Sequence, residues 1–170
     1  MKVPFTLLGK RYLHYKKNIL KNFNDVSLKG DFILGKNVEI FERKISKICQ
    51  SKYAISVNSG FDALFLSLKC LGIAKGDEVI TVSNSYIATA SSIIAAGAKP
   101  IFVDVGEDYN INPNLIEKKI NKKTKAIMPV HLTGNPCNMT KICNLAKKYK
   151  LKIIEDSAQA IGASFDNKKV

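Results

Sequence analysis

The chain has 170 residues and a formal net charge of +13, from 27 Lys or Arg and 14 Asp or Glu. This length suffices for one domain with its own core, and a hydrophobic content of 46% excludes an intrinsically disordered chain. No stretch reaches the roughly 20 uncharged apolar residues of a membrane helix, and the first residues have too short an apolar run for a signal peptide. A membrane protein is therefore not predicted.

The basic residues are almost all lysine, since only Arg11 and Arg43 are arginine. Arginine is the residue that best reads phosphates and base edges through paired hydrogen bonds. This composition weakens the nucleic-acid-binding interpretation that the net charge invites. The lysines are spread along the chain, with the densest cluster at 118–125. We interpret the charge as solvated basic helix faces, and a polyanion site remains the alternative.

The chain has two His and four Cys, and no two cysteines have CxxC spacing. Neither histidine has a metal-binding partner nearby in the sequence, so we predict neither a metal site nor a disulfide framework. Reduced thiols in a cytoplasmic protein are the interpretation that fits best. The cysteines are Cys49, Cys70, Cys137 and Cys143.

The predicted elements begin with two helices, one with Tyr12, Tyr15 and Ile19 on one face and a second with Asn37 as its N-cap. From residue 53 onward, short apolar runs alternate with helical patterns. The predicted strands are 53–57, 78–82, 99–105, 125–130 and 151–156, with 161–165 as the start of one more. The predicted helices are 61–71, 86–96, one that begins at Asn112-Pro113, and 139–149. This alternation predicts an α/β fold, a mainly parallel sheet flanked by helices.

Ligands bind such sheets at the carboxyl ends of the strands, and four predicted strand ends carry candidate groups. The first is the turn 58–63, where Gly60 lets the backbone approach a ligand closely. The amides that follow begin a helix, which suits a phosphate, although an ordinary helix cap is the alternative. The turn matches neither GxxxxGK[ST] nor GxGxxG, so neither an NTPase P-loop nor a nicotinamide-binding Rossmann motif is predicted.

The other three strand ends carry an aromatic ring, an imidazole and two carboxylates. Tyr86 is placed either to stack on a planar ligand or to pack in the core. His131 is a candidate base, but the sequence places no nucleophile near it, which favours a structural role. Glu155 and Asp156 follow the apolar run 151–154. A carboxylate at the end of a buried strand needs a cationic partner, and a protonated pyridine nitrogen would be one.

These four segments, in this order, resemble the DegT/DnrJ/EryC1/StrS family of sugar aminotransferases. The resemblance begins at VPFTLLGKRY and GDFILGKNVEIFE, runs through SGFDALFLSL and GDEVITVSNSYIATASSIIAAGAKPIFVDV, and extends to YNINPNLIEKKINKKTKAIMPVHLTG and IIEDSAQAIGASF. Enzymes of this family use pyridoxal 5'-phosphate (PLP) and have the aspartate-aminotransferase architecture, fold type I. The resemblance implies an N-terminal helical segment over 1–52, an incomplete PLP-binding large domain over 53–170, and no C-terminal small domain.

The resemblance implies a cofactor-binding role for six residues: Gly60, Phe61, Asp62, Tyr86, Asp156 and Gln159. The first three match the turn whose amides hold the cofactor phosphate, and the tyrosine matches the aromatic that stacks on the pyridine ring. Asp156 matches the carboxylate that pairs with the pyridinium nitrogen, and Gln159 matches the residue near the phenolic oxygen. Two positions depart from the family pattern, because Phe61 stands where threonine is usual and Thr133 where an aromatic is usual.

The implied reaction moves an amino group from an amino acid, usually glutamate, to a nucleotide-linked keto-deoxysugar. With an apolar residue before Asp-Ala-Leu, the sequence resembles a branch of the family that acts on nucleotide-linked 3-keto sugars. Enzymes of this kind are usually homodimers. The lysine that binds PLP follows a Ser-Phe motif downstream of EDSAQA, and the 170 residues end before it. Lys168 and Lys169 match the turn before that motif, so neither is assigned as catalytic.

Three functional interpretations follow. The main one is an N-terminal portion of a PLP-dependent sugar aminotransferase that does not transaminate by itself. The second is a non-catalytic module that binds PLP or a nucleotide sugar without turnover, because the Schiff-base lysine lies beyond the chain end. The third, a basic nucleic-acid-binding domain, requires steeply salt-dependent binding, and the scattered lysines do not favour it.

Overall fold

The computed structural model describes residues 4–170, which divide into two compact units, one up to Ile45 and one from Ser46 to Val170. In the first unit, α1 spans Leu8–Lys29 and ends at Gly30, whose φ of +70° is the left-handed conformation that favours glycine. The next helix, α2, spans Lys36–Cys49 and crosses the boundary between the units. The prediction of Asn37 as an N-cap was wrong, because this residue already lies inside α2.

The second unit contains a four-stranded parallel sheet in the order β2-β1-β3-β4. Its strands are β1 Glu78–Val82, β2 Lys99–Val103, β3 Thr124–Ile127 and β4 Lys152–Ile153. Its helices are α3 Gly60–Cys70, α4 Ile87–Ala95, α5 Pro113–Ile116 and α6 Met139–Tyr149. A small antiparallel hairpin, β5 Ser164–Phe165 with β6 Lys168–Lys169, follows the sheet. The predicted mainly parallel sheet flanked by helices is confirmed.

Helices cover both faces of the sheet. Neighbouring residues of a strand point to opposite faces, so they pack in different clusters. Ile80 and Ile127 belong to one buried cluster, which includes residues of α5 and α6. Val79 and Ala126 belong to a second cluster, which includes residues of α3 and α4. The central strands β1 and β3 are mostly buried, which explains their nearly continuous apolar runs in the sequence. None of the helices among residues 4–170 is both long and apolar enough to cross a membrane.

The segment 53–57 was predicted as a strand and is not one in the structure. A strand needs a hydrogen-bonded neighbour, and the described sheet ends at β2 and β4 without pairing with this segment. Its side chains are correspondingly open to solvent, with Tyr53 71% and Ile55 82% exposed. The apolar pattern therefore identified a segment suited to a sheet, but it does not form part of this one.

The carboxyl ends of the strands meet beyond the regular ladders. After β3, the Met128 N–H donates to the Ile80 carbonyl, and Val130 forms an isolated parallel bridge with Asp156. The Asp156 N–H donates to the Pro129 carbonyl at 2.9 Å, and the His131 N–H donates to the Asp156 carbonyl at 3.1 Å. These bonds hold Asp156 at the same edge of the sheet as the end of β1.

Candidate cofactor site

A cavity of about 460 Å³ lies at the carboxyl ends of the strands. Residues of four segments line it: 59–64, 85–89, Val130 and 155–159. Five of the six predicted cofactor-binding residues are in its wall. The sixth, Asp62, is not, because its carboxylate accepts a hydrogen bond from the Ser59 hydroxyl at 3.0 Å at the start of α3. Within the part of the chain that the structure describes, no lysine or arginine lines this cavity.

The start of α3 leaves two backbone N–H groups at the cavity. Ser59 is the N-cap, and its hydroxyl oxygen accepts from the Asp62 N–H at 3.1 Å while its carbonyl accepts from the Ala63 N–H. Among the described contacts, the N–H groups of Gly60 and Phe61 have no partner, as expected for the first turn of a helix. A Cβ at Gly60 would meet open space. These two amides can therefore bind an anion, with the positive end of the helix dipole behind them.

Asp156 lies on the sheet side of the cavity and is only 9% exposed. Its Oδ2 accepts from the Thr89 hydroxyl at 2.8 Å, and its Oδ1 accepts from the Ala158 N–H at 3.3 Å. The Thr89 hydroxyl also lies 2.8 Å from that of Ser85, which continues the network toward the cavity. Neither ion pair found in the described residues involves Asp156. A buried carboxylate that only neutral donors contact is suited to a cationic ligand.

Tyr86 is the N-cap residue of α4 and is 77% exposed, with its side chain in the cavity wall. The alternative that Tyr86 packs in the core is therefore wrong. An exposed aromatic beside a buried carboxylate can stack on a planar ring whose charged atom reaches that carboxylate.

His131 is fully buried and is not in the cavity wall. Its Nδ1 accepts from the Cys137 N–H at 3.0 Å, so the proton of the neutral ring is on Nε2, which donates to Glu155 Oε2 at 3.0 Å. Burial raises the pKa of the Cys137 thiol to about 12. This geometry favours the structural role for His131, which supports the segment that carries Glu155 and Asp156.

Gln159 lies in the cavity wall with its amide oxygen already bound. Gln159 Oε1 accepts from the Thr133 N–H at 2.7 Å. Three features of the site were not predicted: the Thr89 hydroxyl, the contact between His131 and Glu155, and the position of Thr133 behind Gln159. No local signal in the sequence indicated Thr89, because its partner Asp156 is 67 residues away in the chain.

Residues 14–170 match the DegT/DnrJ/EryC1/StrS aminotransferase family. The chain belongs to this family. A family relative, the dTDP-3-amino-3,6-dideoxy-alpha-D-galactopyranose transaminase of Aneurinibacillus thermoaerophilus, is 47% identical over 169 residues, which are 99% of this chain and 47% of that protein. The chain spans about half the length of the curated relatives it matches.

Solved structures of similar proteins have the same fold over this region. The crystal structure of S. venezuelae DesV in complex with a ketimine intermediate superposes with a TM-score of 0.96 at 39% identity, covering 99% of this chain and 46% of DesV. The structure of ntda from Bacillus subtilis with bound cofactor PMP superposes with a TM-score of 0.92 at 39% identity, covering 96% of this chain and 38% of that one. These neighbours agree with a partial domain of a fold type I aminotransferase.

Proposed function

We propose that the chain forms the cofactor-binding part of a PLP-dependent aminotransferase. The enzyme would transfer an amino group from an amino acid, glutamate by resemblance to the family, to a nucleotide-linked keto-deoxysugar. The observation that carries this proposal is the buried carboxylate of Asp156, which faces a cavity and has only neutral partners. The nucleotide-sugar transaminase named among the relatives supports the substrate class.

The donors of the cavity fit the chemical groups of PLP and of its amine form, pyridoxamine phosphate (PMP). Asp156 would hold a proton on the ring nitrogen, and Tyr86 would lie against the ring face. The free amides of Gly60 and Phe61 would bind the phosphate without a charged side chain. When bound, the cofactor supplies an electron sink for the α-carbon of the amino donor, and a protonated ring nitrogen strengthens that sink.

The arrangement of the whole enzyme belongs to the same proposal. Residues 53–170 would form part of the PLP-binding large domain, preceded by a helical segment over 1–52, in a cytoplasmic homodimer. None of the 170 residues is assigned as the lysine that follows the Ser-Phe motif in the family, so we expect this polypeptide alone to bind the cofactor without transferring amino groups. Amino transfer by the purified 170-residue chain, with a cofactor imine on one of its own lysines, would contradict this expectation.

Calorimetric titration of the chain with PMP tests the proposed function. PMP carries no aldehyde, so it cannot form imines with the 25 lysines, which would obscure a titration with PLP. We expect the substitution Asp156→Asn to weaken PMP binding at least about tenfold, because it removes one charge of an ion pair in a buried site. The matched control is Asp166→Asn, since Asp166 is an exposed carboxylate that does not line this cavity.

The outcomes separate the alternatives. Equal weakening by both substitutions would indicate a general charge effect and would contradict a site at Asp156. Absence of PMP binding, together with binding of a nucleotide sugar that depends on Asp156, would favour the alternative of a nucleotide-sugar-binding module.

A further inference from the structure

Asn110 is a buried side chain that connects two distant parts of the chain. It follows β2, is only 1% exposed, and uses both ends of its amide. Its Nδ2 donates to the Asn135 carbonyl at 2.9 Å, and its Oδ1 accepts from the Leu132 N–H at 3.1 Å. The loop 132–135 is therefore fixed at both ends by one side chain from outside it.

The loop that Asn110 holds contains a strained residue. Thr133 has φ +54° and ψ +18°, a left-handed conformation that is rare for a β-branched residue. Such a conformation persists only where its surroundings enforce it, and it is often found at functional sites. The Thr133 hydroxyl donates to the Leu132 carbonyl. This local bond does not explain why the Thr133 backbone N–H donates to Gln159.

The Thr133 N–H points at Gln159 and decides the orientation of its amide. An N–H can donate only to the amide oxygen, so the 2.7 Å bond to Gln159 Oε1 assigns the oxygen to the Thr133 side. The Gln159 –NH₂ group then has two donors, and no hydrogen bond from it is found among the described residues. Because Gln159 lines the cavity, this –NH₂ group is available to an acceptor on a ligand.

We propose that Asn110 is a positioning residue for ligand binding. By fixing the loop 132–135, it holds the Thr133 N–H against Gln159, so that the Gln159 side chain acts as a hydrogen-bond donor toward an anionic oxygen on the ligand ring. The role assigned to the ligand oxygen rests on the proposed function, whereas the connection from Asn110 through Thr133 to Gln159 rests on the geometry of the chain.

The first experiment needs no ligand and measures hydrogen exchange at the Thr133 amide. We expect Asn110→Ala to speed this exchange about fivefold or more, the equivalent of one lost hydrogen bond. The matched control is Asn121→Ala, because Asn121 also fixes a turn through both ends of its amide, to Glu78 and to the Lys123 N–H, outside the cavity wall. The control is expected to leave Thr133 exchange unchanged.

The second experiment measures PMP binding and the absorption spectrum of bound PMP. We expect Asn110→Ala to weaken binding about fivefold to tenfold and Asn121→Ala to change it less than twofold. Gln159→Glu is the decisive variant, since it keeps an oxygen for the Thr133 N–H and removes the amide donor. Gln159 is exposed, so this substitution does not disturb buried packing. We expect it to weaken binding at least tenfold and to shift the spectrum of the bound ring.

Each result supports or overturns the proposal. Unchanged Thr133 exchange in a folded Asn110→Ala variant would overturn the positioning role. If that variant does not fold, PMP binding by Gln159→Glu equal to that of the unmodified chain would overturn the donor role instead. Failure of the unmodified chain to bind PMP would contradict the proposed function, while the exchange measurement would still decide whether Asn110 controls Thr133.

Discussion

The hydrogen bond from Thr89 to Asp156 should contribute more to the free energy of unfolding than most single polar interactions in the second unit. The substitution Thr89→Val replaces the hydroxyl with a methyl group of nearly the same volume. Thr89 is 1% exposed and its hydroxyl lies 2.8 Å from Asp156 Oδ2, so the change leaves a buried carboxylate oxygen without this donor. A hydrogen bond to a charged group contributes about 1.5–3 kcal/mol. We expect the free energy of unfolding to fall by about 2 kcal/mol, or about 4–8 °C in Tm for a chain of this size.

The chain contains a matched pair of the same chemistry at the surface. The Thr140 hydroxyl donates to Asp166 Oδ2 at 3.0 Å, and both residues are exposed. Because water replaces the lost bond there, we expect Thr140→Val to change the free energy of unfolding by less than about 0.5 kcal/mol. The comparison isolates the effect of burial, since the donor, the acceptor and the substitution are the same at both sites.

Urea unfolding of single and double variants measures the interaction itself. In a cycle of Thr89→Val and Asp156→Asn, the coupling energy should exceed about 1 kcal/mol, whereas the cycle at Thr140 and Asp166 should give a coupling near zero. Additive effects at the buried pair would refute the reasoning, because they would mean that the Thr89 hydroxyl does not stabilise the charge of Asp156. Equal coupling at both pairs would refute the argument from burial.

Three further predictions concern a buried thiol and the start of α3. Burial raises the pKa of the Cys137 thiol to about 12, so at pH 8.5 iodoacetamide should modify the exposed Cys70 and Cys143 but not Cys137, as peptide mass spectrometry would detect. Because this pKa is higher in the folded chain, stability from this group is complete below about pH 9 and falls as the pH rises above it. Phe61→Thr adds a hydroxyl at the phosphate position and should tighten PMP binding about fivefold by calorimetry; unchanged or weaker binding would contradict this.

The fold was largely predictable because β1 and β3, the central strands of the second unit, are mostly buried. The apolar runs at 78–82 and 99–103 and the helices after them needed only local patterns to be recognised. The failure at 53–57 has the opposite cause. An apolar run indicates that a segment is suited to a sheet, but pairing depends on a neighbouring strand that local sequence does not specify.

The site residues that lie at strand ends could be predicted from the sequence. The residues that hold other site residues in place through hydrogen bonds could not. Tyr86 and Asp156 each follow an apolar run that belongs to the sheet, so the topology of a parallel sheet brings them to one edge. Gly60 follows the run 53–57, which is not a strand here, and it reaches the cavity at the start of α3. Thr89 and Asn110 lie within or beyond other elements, and their partners are 67 and 22–25 residues away in the chain. No local pattern reports a contact over such a separation.

The charge of the site differs in sign from that of the chain. The net charge is +13, yet among residues 4–170 the charged side chains in the cavity wall are only Glu155 and Asp156. A ligand bound there meets carboxylates on the side of the sheet and uncharged amides at the start of α3. This separation favours a ligand with a cationic ring atom at one end and an anionic group at the other, and it fixes which end faces the sheet. No lysine of residues 4–170 is in the cavity wall, so we expect recognition at this site to depend on two carboxylates and two amides rather than on the net charge.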